Sequence, residues 1–356
     1  MPPAEQITLT NEDLYSPKVD GYIEAQSVLS REMPQAEPQP LVLRVLYSSC
    51  FYLAMAGMVG ALVAWAIIEP YFAQAEAQGS QGETIAEYLL FPTVMGGVGF
   101  LLGLVEGLVC RNAMRAVISS LVGLGIGFVV GAVAIFVAGA VFLMMVAMAV
   151  TVGPPRGEEA VPTGFGFLIL MMGRGAAWAI AAIAAGLGQG IALRDRKVVI
   201  NGVVGGVLGG LLGGMLFDPI YVLLGTPDEA TMSRGVGFAV IGLMVGLFIG
   251  LVEHWTKTAW LLMRAGPLAG KQFILFRNTT VIGSSPKCDV YLFKDAAIEP
   301  RHALIHDRGG RYEIEDTGSA DGTYVNGRPI KKQMLCAGDQ IVIGKTLLEF
   351  ALKDKE

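Results

Sequence analysis

Between Leu41 and Leu262 the chain is a series of long runs almost free of charge, and no other feature limits its folding so strongly. Hydrocarbon offers no water to satisfy a backbone N–H or C=O, so an apolar chain crosses it as helices of about 20 residues each. Six runs meet that requirement: 45–68, 90–110, 116–140, 174–193, 198–217 and 235–256. The third run stays apolar to Val152, too long for one perpendicular crossing. A tilted helix, or an extra interfacial stretch near 141–152, would absorb the excess. The stretch 164–173 before Arg174 raises the same question.

The connections between runs sort by charge. Arg44, then Arg111 and Arg115, then Arg194, Arg196 and Lys197, then Lys257 and Arg264 fall on one side. On the other lie Glu69, Glu76, Glu83 and Glu87 without a basic residue, then 153–163 with Glu158 and Glu159 against Arg156, then 218–234 with Asp218, Asp228 and Glu229. Lys and Arg are retained in cytoplasmic loops. Six spans therefore put both termini in the cytoplasm of a bacterial inner-membrane protein. No basic n-region precedes an apolar run at the N-terminus, so no signal peptide is visible. Residues 1–43, rich in proline and acid, read as a disordered cytoplasmic tail.

Glycine recurs at every fourth position: Gly99, Gly103, Gly107; Gly123, Gly127, Gly131; Gly202, Gly206, Gly210, Gly214; Gly242, Gly246, Gly250. That spacing lines one helix face and lets backbones approach closely. It serves packing within one bundle, or homo-oligomerisation through the same faces. A weak repeat is also present. Gly103-Leu-Val-Glu106, Gly186-Leu-Gly-Gln189 and Gly250-Leu-Val-Glu253 sit near the inner ends of spans two, four and six, and Arg174-Gly175 and Arg234-Gly235 open spans four and six. The pattern predicts a helical hairpin duplicated two or three times, the last copy leading into the C-terminal segment. Transporters usually carry ionisable groups or broken helices at mid-membrane. Here Glu106 and Glu253 lie within about a turn of the interface, and repeat analogy puts Arg174 at the outer one.

After span six, Trp255 and Trp260 are expected at headgroup level with Lys257 and Arg264 on the anionic leaflet, and His254 beside them. The expected division is a transmembrane block over 44–264, a short linker over 265–270 and a soluble domain over 271–356. From Lys271 the pattern becomes short alternating strands: 271–276, 279–282, 289–293, 303–306, 311–315, 323–325, 341–343 and 346–350. Asn326-Gly327 is a hairpin signal and Gly309-Gly310 breaks two strands. Many short strands at this spacing predict a β-sandwich. The fold class expected is a membrane all-α bundle with a C-terminal all-β domain.

Thr280-Val-Ile-Gly283, Cys288-Asp-Val-Tyr-Leu292, Ile298-Glu-Pro-Arg-His302-Ala-Leu-Ile305, Asp316-Thr-Gly-Ser319-Ala-Asp-Gly322-Thr323-Tyr-Val-Asn326-Gly327 and Gly338-Asp339-Gln-Ile-Val-Ile-Gly344 occur in this order along the chain. This series resembles the forkhead-associated (FHA) family across about a quarter of the chain, and a glycine-rich helical block feeding such a domain resembles uncharacterised bacterial FHA-containing membrane proteins. The resemblance implies an eleven-stranded sandwich whose loops at one end bind phosphothreonine peptides. It assigns structural roles to Gly283, His302, Gly322 and Gly327. The candidate peptide-binding positions are Ser284, Ser285, Lys287, Glu299, Arg301, Asp321, Thr323 and Asn326.

At these positions the chain departs from the family. The usual arginine after the first glycine is Ser284, the phosphate-donating serine is Glu299, followed by Pro300, and the pair before Gly322 is Ala320-Asp321. A phosphothreonine carries about −1.5 to −2 charge and needs charge-assisted donors. Losing the cation and gaining an anion at contact distance each cost on the order of 2–5 kcal/mol. The expected module therefore binds a protein partner, or the chain's own N-terminal tail, without phosphate, and Glu299 and Asp321 favour a basic group.

No catalytic, metal or cofactor signature is present: three scattered histidines and four separated cysteines, no GxSxG, HExxH or Walker loop. Cys288 and Cys336 read as reduced residues of a cytosolic domain. A net charge of −5 gives no indication of nucleic acid. The expected partners are a protein, which the family's habit would make a phosphoprotein, and membrane lipid. The expected role is a scaffold or signalling adaptor. The alternatives are a transporter or channel with an FHA regulatory domain, and a phosphothreonine-dependent receptor in a Ser/Thr kinase pathway.

Overall fold

The computed structural model describes residues 41–77, 85–155, 161–224 and 230–353. The tail expected over residues 1–43 falls almost wholly outside them. The described chain forms two compact units, Leu41–Lys257 and the segment from Thr258 onward.

The first unit is helical. After a short helix, Leu41–Leu46, come α1 Ser49–Ala77, α2 Ile85–Val109, α3 Ala113–Val152, α4 Phe165–Leu193, α5 Arg196–Leu224 and α6 Ala230–Thr256. All six are long and apolar enough to cross a membrane. Each packs on the next and α6 returns to α1, so the six close into a ring. The third is one unbroken helix of 40 residues, about 60 Å long at 1.5 Å per residue, with no separate interfacial stretch. Because α4 begins at Phe165, Arg174 lies more than two turns inside the helix, not at its opening.

The repeat is visible in the turns. Arg111 and Arg194 both adopt positive φ, 49° and 53°, and the next residue caps the following helix. Asn112 Oδ1 accepts from Arg115 N at 3.0 Å, and Asp195 Oδ1 from Lys197 N at 2.8 Å. Such caps satisfy amides that a helix start leaves orphaned. Above each turn glycine removes the bulk between two helices. A Cβ at Gly103 would strike the Ser119 backbone, and one at Gly186 the Gly202 carbonyl. The third copy has the same close approach but no turn: Gly242, Gly246 and Gly250 of α6 abut Gly57, Leu53 and Cys50 of α1. Its two helices come from opposite ends of the helical segment, and the chain leaves for the second unit where the other copies turn. The repeating unit is thus an even helix with the odd helix beside it: α2 with α3, α4 with α5, α6 with α1.

Inside the ring, Trp178 of α4 meets Phe91 of α2 and Phe238 of α6 edge-on, at centroid distances of 4.8 and 5.7 Å. Val94, Met95, Val98, Ile241 and Val245 are buried around them.

The second unit is a sandwich of two sheets. One is ordered β2-β1-β11-β10-β7-β8 and the other β4-β3-β5-β6-β9. The strands are β1 Ala259–Ala265, β2 Gln272–Ile274, β3 Thr279–Gly283, β4 Val290–Tyr291, β5 Ala303–Asp307, β6 Tyr312–Asp316, β7 Thr323–Val325, β8 Arg328–Ile330, β9 Lys332–Leu335, β10 Gln340–Ile343 and β11 Thr346–Leu352. Burial alternates along β1, β6 and β7, as a half-buried sheet requires, while β5, β10 and β11 each bury three residues in a row. Leu261, Met263, Ile282, Ile305, Ile314, Ile341, Leu348 and Phe350 make the core.

The expected boundary at residue 264 is corrected by β1. Helix α6 ends at Thr256 and the strand starts at Ala259, pairing antiparallel with β11 and β2. Ala259, Leu261, Met263 and Ala265 point inward, whereas Trp260 and Arg264 lie on the other face, and Arg264 Nε contacts Glu349 Oε2 at 2.5 Å. Of the supposed linker 265–270, Ala265 ends β1 and 266–270 lie in the β1–β2 connection. There Gly266 and Gly270 take φ of 130° and 91°, accessible to glycine without strain. An apolar, aromatic and basic run beside a long hydrophobic helix imitates an interfacial belt, and only its period of two reveals a strand. Strands β8 and β9 are likewise absent from the sequence reading.

Candidate functional site

Three loops meet at one end of the sandwich: β3–β4 after Gly283, β4–β5 before Ala303, and β6–β7 from Thr317 to Gly322. The first two are joined through their backbones. Ser284 N donates to Glu299 O at 2.9 Å and Ser285 N to Pro300 O at 3.3 Å. A Cβ at Gly283 would strike the Pro300 carbonyl, so only glycine permits this approach. The Cys288 thiol also donates to Pro300 O, at 3.0 Å, and burial pushes that thiol up from its ordinary pKa.

His302, fully buried, fastens the second loop to the third. Its Nδ1 accepts from Glu299 N at 3.2 Å, which leaves the proton on Nε2. Nε2 then donates to Gly322 O at 3.1 Å and Ser319 Oγ at 3.0 Å. This makes the neutral imidazole a donor on one edge and an acceptor on the other. Asp316 completes the brace. Oδ1 accepts from the hydroxyls of Ser319 and Thr323 at 2.6 and 2.7 Å, and Oδ2 from the amides of Gly318 and Ser319 at 2.8 and 3.0 Å. Burial opposes the charge here, yet the donors from Ser319, Thr323 and Gly318 hold the carboxyl below its ordinary value. Thr317 Oγ1 reaches Arg301 O at 2.7 Å and His302 O at 2.9 Å.

On this base the expected binding residues separate. Lys287, Arg301 and Asp321 are exposed, and Ser284, Ser285 and Glu299 half-buried, on the three loops. Glu299 does not pair with Arg301; its Oε1 accepts from Ala320 N at 3.0 Å. Two candidates are corrected to supporting roles. Thr323 is fully buried with its hydroxyl on Asp316. Asn326 sits in the β7–β8 turn with φ 51°, its Nδ2 donating to Asp339 Oδ1 at 2.8 Å and its Oδ1 accepting from Gln340 N at 2.9 Å. With Gly327 also at positive φ, 77°, the pair forms the tight hairpin that Asn-Gly favours. The reading of the sequence missed Asp316 and Ser319 as braces, although Asp-Thr-Gly-Ser is the local signal of an Asx turn.

The loop end thus offers two carboxylates, two cations and two hydroxyls on a rigid base. Among the described residues no group of three or more His, Cys, Asp or Glu side chains is placed to hold a metal ion.

The FHA domain family model matches residues 280–344. The "Oxoglutarate dehydrogenase inhibitor" of Corynebacterium jeikeium is 41% identical over 99 residues, covering 28% of this chain and 68% of that one. The "Glycogen accumulation regulator GarA" of Mycolicibacterium smegmatis is 40% identical over 93 residues, covering 26% of this chain and 58% of that protein. The crystal structure of the FHA domain of CT664 protein from Chlamydia trachomatis is 30% identical, with a TM-score of 0.26, covering 28% of this chain and all of that one. By its C-terminal sandwich, this chain belongs to the FHA domain family.

Proposed function

We propose that the chain is a multi-pass protein of the bacterial cytoplasmic membrane, acting as a scaffold or signalling adaptor through its FHA module. The six long apolar helices and the alternation of basic and acidic connections support this placement, with both termini cytoplasmic. Close glycine contacts between helices support tight packing within one chain. Phe91, Trp178 and Phe238 pack together in a buried apolar cluster of the helices, which favours the adaptor over a transporter or channel. The names of the relatives, an inhibitor and a regulator, suit a module that works through other proteins.

The partner docks at the loop end through Ser284, Ser285, Lys287, Glu299, Arg301 and Asp321, without a phosphate grip. The observation that carries this is Glu299. Its carboxylate already occupies the Ala320 amide, an anion where an incoming phosphate would need a donor, and Ser284 brings no cation to offset it. Fluorescence titration of the full chain in nanodiscs with matched phosphothreonine and unphosphorylated peptide libraries tests the reading. Binding that persists after phosphatase treatment is expected. Micromolar binding abolished by the phosphatase would establish the phosphothreonine-dependent receptor instead.

A further inference from the structure

Two arginine–carboxylate pairs of the helical unit share one setting, and one is complete while the other is half-made. Arg234 on α6 faces Glu69 on α1, and Arg174 on α4 faces Asp218 on α5. Each carboxylate stands directly before a proline, Pro70 or Pro219. In the complete pair both carboxylate oxygens are held. Arg234 Nε reaches Glu69 Oε1 and Oε2 at 3.2 and 3.3 Å, Nη2 reaches Oε1 at 2.5 Å, and Trp65 Nε1 donates to Oε2 at 2.8 Å.

The other pair makes one bond, Arg174 Nε to Asp218 Oδ1 at 2.8 Å. The Asp218 side chain is only 6% exposed, and its Oδ2 has no partner among the described residues. The two Nη groups of Arg174 have none among the described residues. The guanidinium is nevertheless fixed, its carbon 4.8 Å from the Phe142 ring centroid and 4.9 Å from that of Phe217, while 27% of the side chain stays exposed.

Unmet donors and acceptors in apolar surroundings are costly, and the complete pair shows that this scaffold can close such a contact. The Nη edge is a planar fork suited to two oxygens of one oxyanion. Oδ2 has the opposite need, a donor, and the soft χ2 of aspartate lets it turn toward the same edge. One ligand class answers both. We propose that Arg174 and Asp218 form a headgroup site for a membrane phospholipid, the phosphate on the Nη fork and a headgroup ammonium or hydroxyl hydrogen on Asp218. Ethanolamine and glycerol headgroups carry that hydrogen, and choline does not. The inference rests on the helical unit spanning a bilayer.

Native mass spectrometry of the detergent-solubilised full chain, exchanged in turn with phosphatidylethanolamine, phosphatidylglycerol and phosphatidylcholine, reads the site. One ethanolamine or glycerol lipid should survive activation that strips the choline lipid. Arg174→Gln should lower its occupancy at least about tenfold, and Arg174→Lys, which keeps the charge but loses the fork, should do nearly the same. Arg234→Gln breaks an ion pair too and should leave the adduct in place. A parallel arm adds inorganic phosphate to lipid-stripped protein; retention there, sensitive to Arg174→Lys, would assign the same chemistry to a soluble source. Equal adducts in wild type and both Arg174 variants, or equal loss in Arg234→Gln, would overturn the proposal. Extraction of the chain without detergent would instead remove the membrane reading beneath it.

Discussion

The Glu299 carboxylate and the Ala320 amide are joined by a 3.0 Å hydrogen bond between two separate loops. Glu299 also accepts from Ser284 N through its carbonyl and donates its own amide to His302. One residue therefore ties together all three loops of the candidate binding surface, its side chain reaching the β6–β7 loop and its carbonyl the β3–β4 loop. The surface is assembled before any partner arrives, which lowers the ordering cost of docking.

Glu299→Ala should release only the side-chain link. A half-exposed hydrogen bond is worth about 1 kcal/mol, or about 4–8 °C in Tm for a domain of this size. Glu299→Gln keeps an acceptor and should lose less than half of that. Thermal unfolding of the three proteins under one detergent condition checks the order, which would be refuted if glutamine proved as damaging as alanine.

His302→Ala should be more severe. It removes a fully buried ring and orphans a buried amide and a carbonyl, together about 3–5 kcal/mol. Hydrogen exchange should show loss of protection at Glu299 and in the 317–322 loop first. A uniform loss across the sandwich, with no local excess, would contradict the brace.

Acid should loosen the same loop through Asp316. Its folded pKa is depressed, so its contribution to stability is complete above the unfolded value of about 3.9 and disappears as pH falls through the lower folded value. Unfolding measured from pH 5 downward should therefore show a stability loss that Asp316→Asn reduces. An unchanged pH slope in that variant would exclude this assignment.

In the helical unit, glycine contacts predict position-specific tolerance. Gly186→Val would drive a side chain into the Gly202 backbone, whereas a Cβ at Gly125 meets nothing within 4 Å. The first should abolish a monodisperse peak in size-exclusion chromatography, an overpacking effect of about 3 kcal/mol or more. Gly125→Ala should elute as wild type. Matching profiles for the two variants would refute the packing.

Legibility followed the range of the interactions. Helix number, the repeat and most strands were readable because period and turn chemistry are local, as in the Asn326-Gly327 hairpin. The start of the sandwich was not. Trp260-Leu-Leu-Met beside α6 has the composition of an interfacial belt, and its identity as β1 depends on pairing with β11, nearly ninety residues away in the chain. Thr323 and Asn326 read as candidate peptide-binding positions for a similar reason: residue type shows that a side chain can bind, while the fold decides what it binds, Asp316 for one and Asp339 for the other.

By itself the sequence determined the two kinds of material in this protein, apolar helices and a short-stranded sandwich, because both follow from periodicity and from the cost of an unsatisfied backbone. Only the tertiary structure decided that α6 and α1 complete the third repeat, that Glu299 turns to Ala320 and not to Arg301, and that Arg174 is left with an open fork while Arg234 is not. Each of these is a choice among partners brought together from distant parts of the chain, and spacing along a sequence carries no distance across a fold.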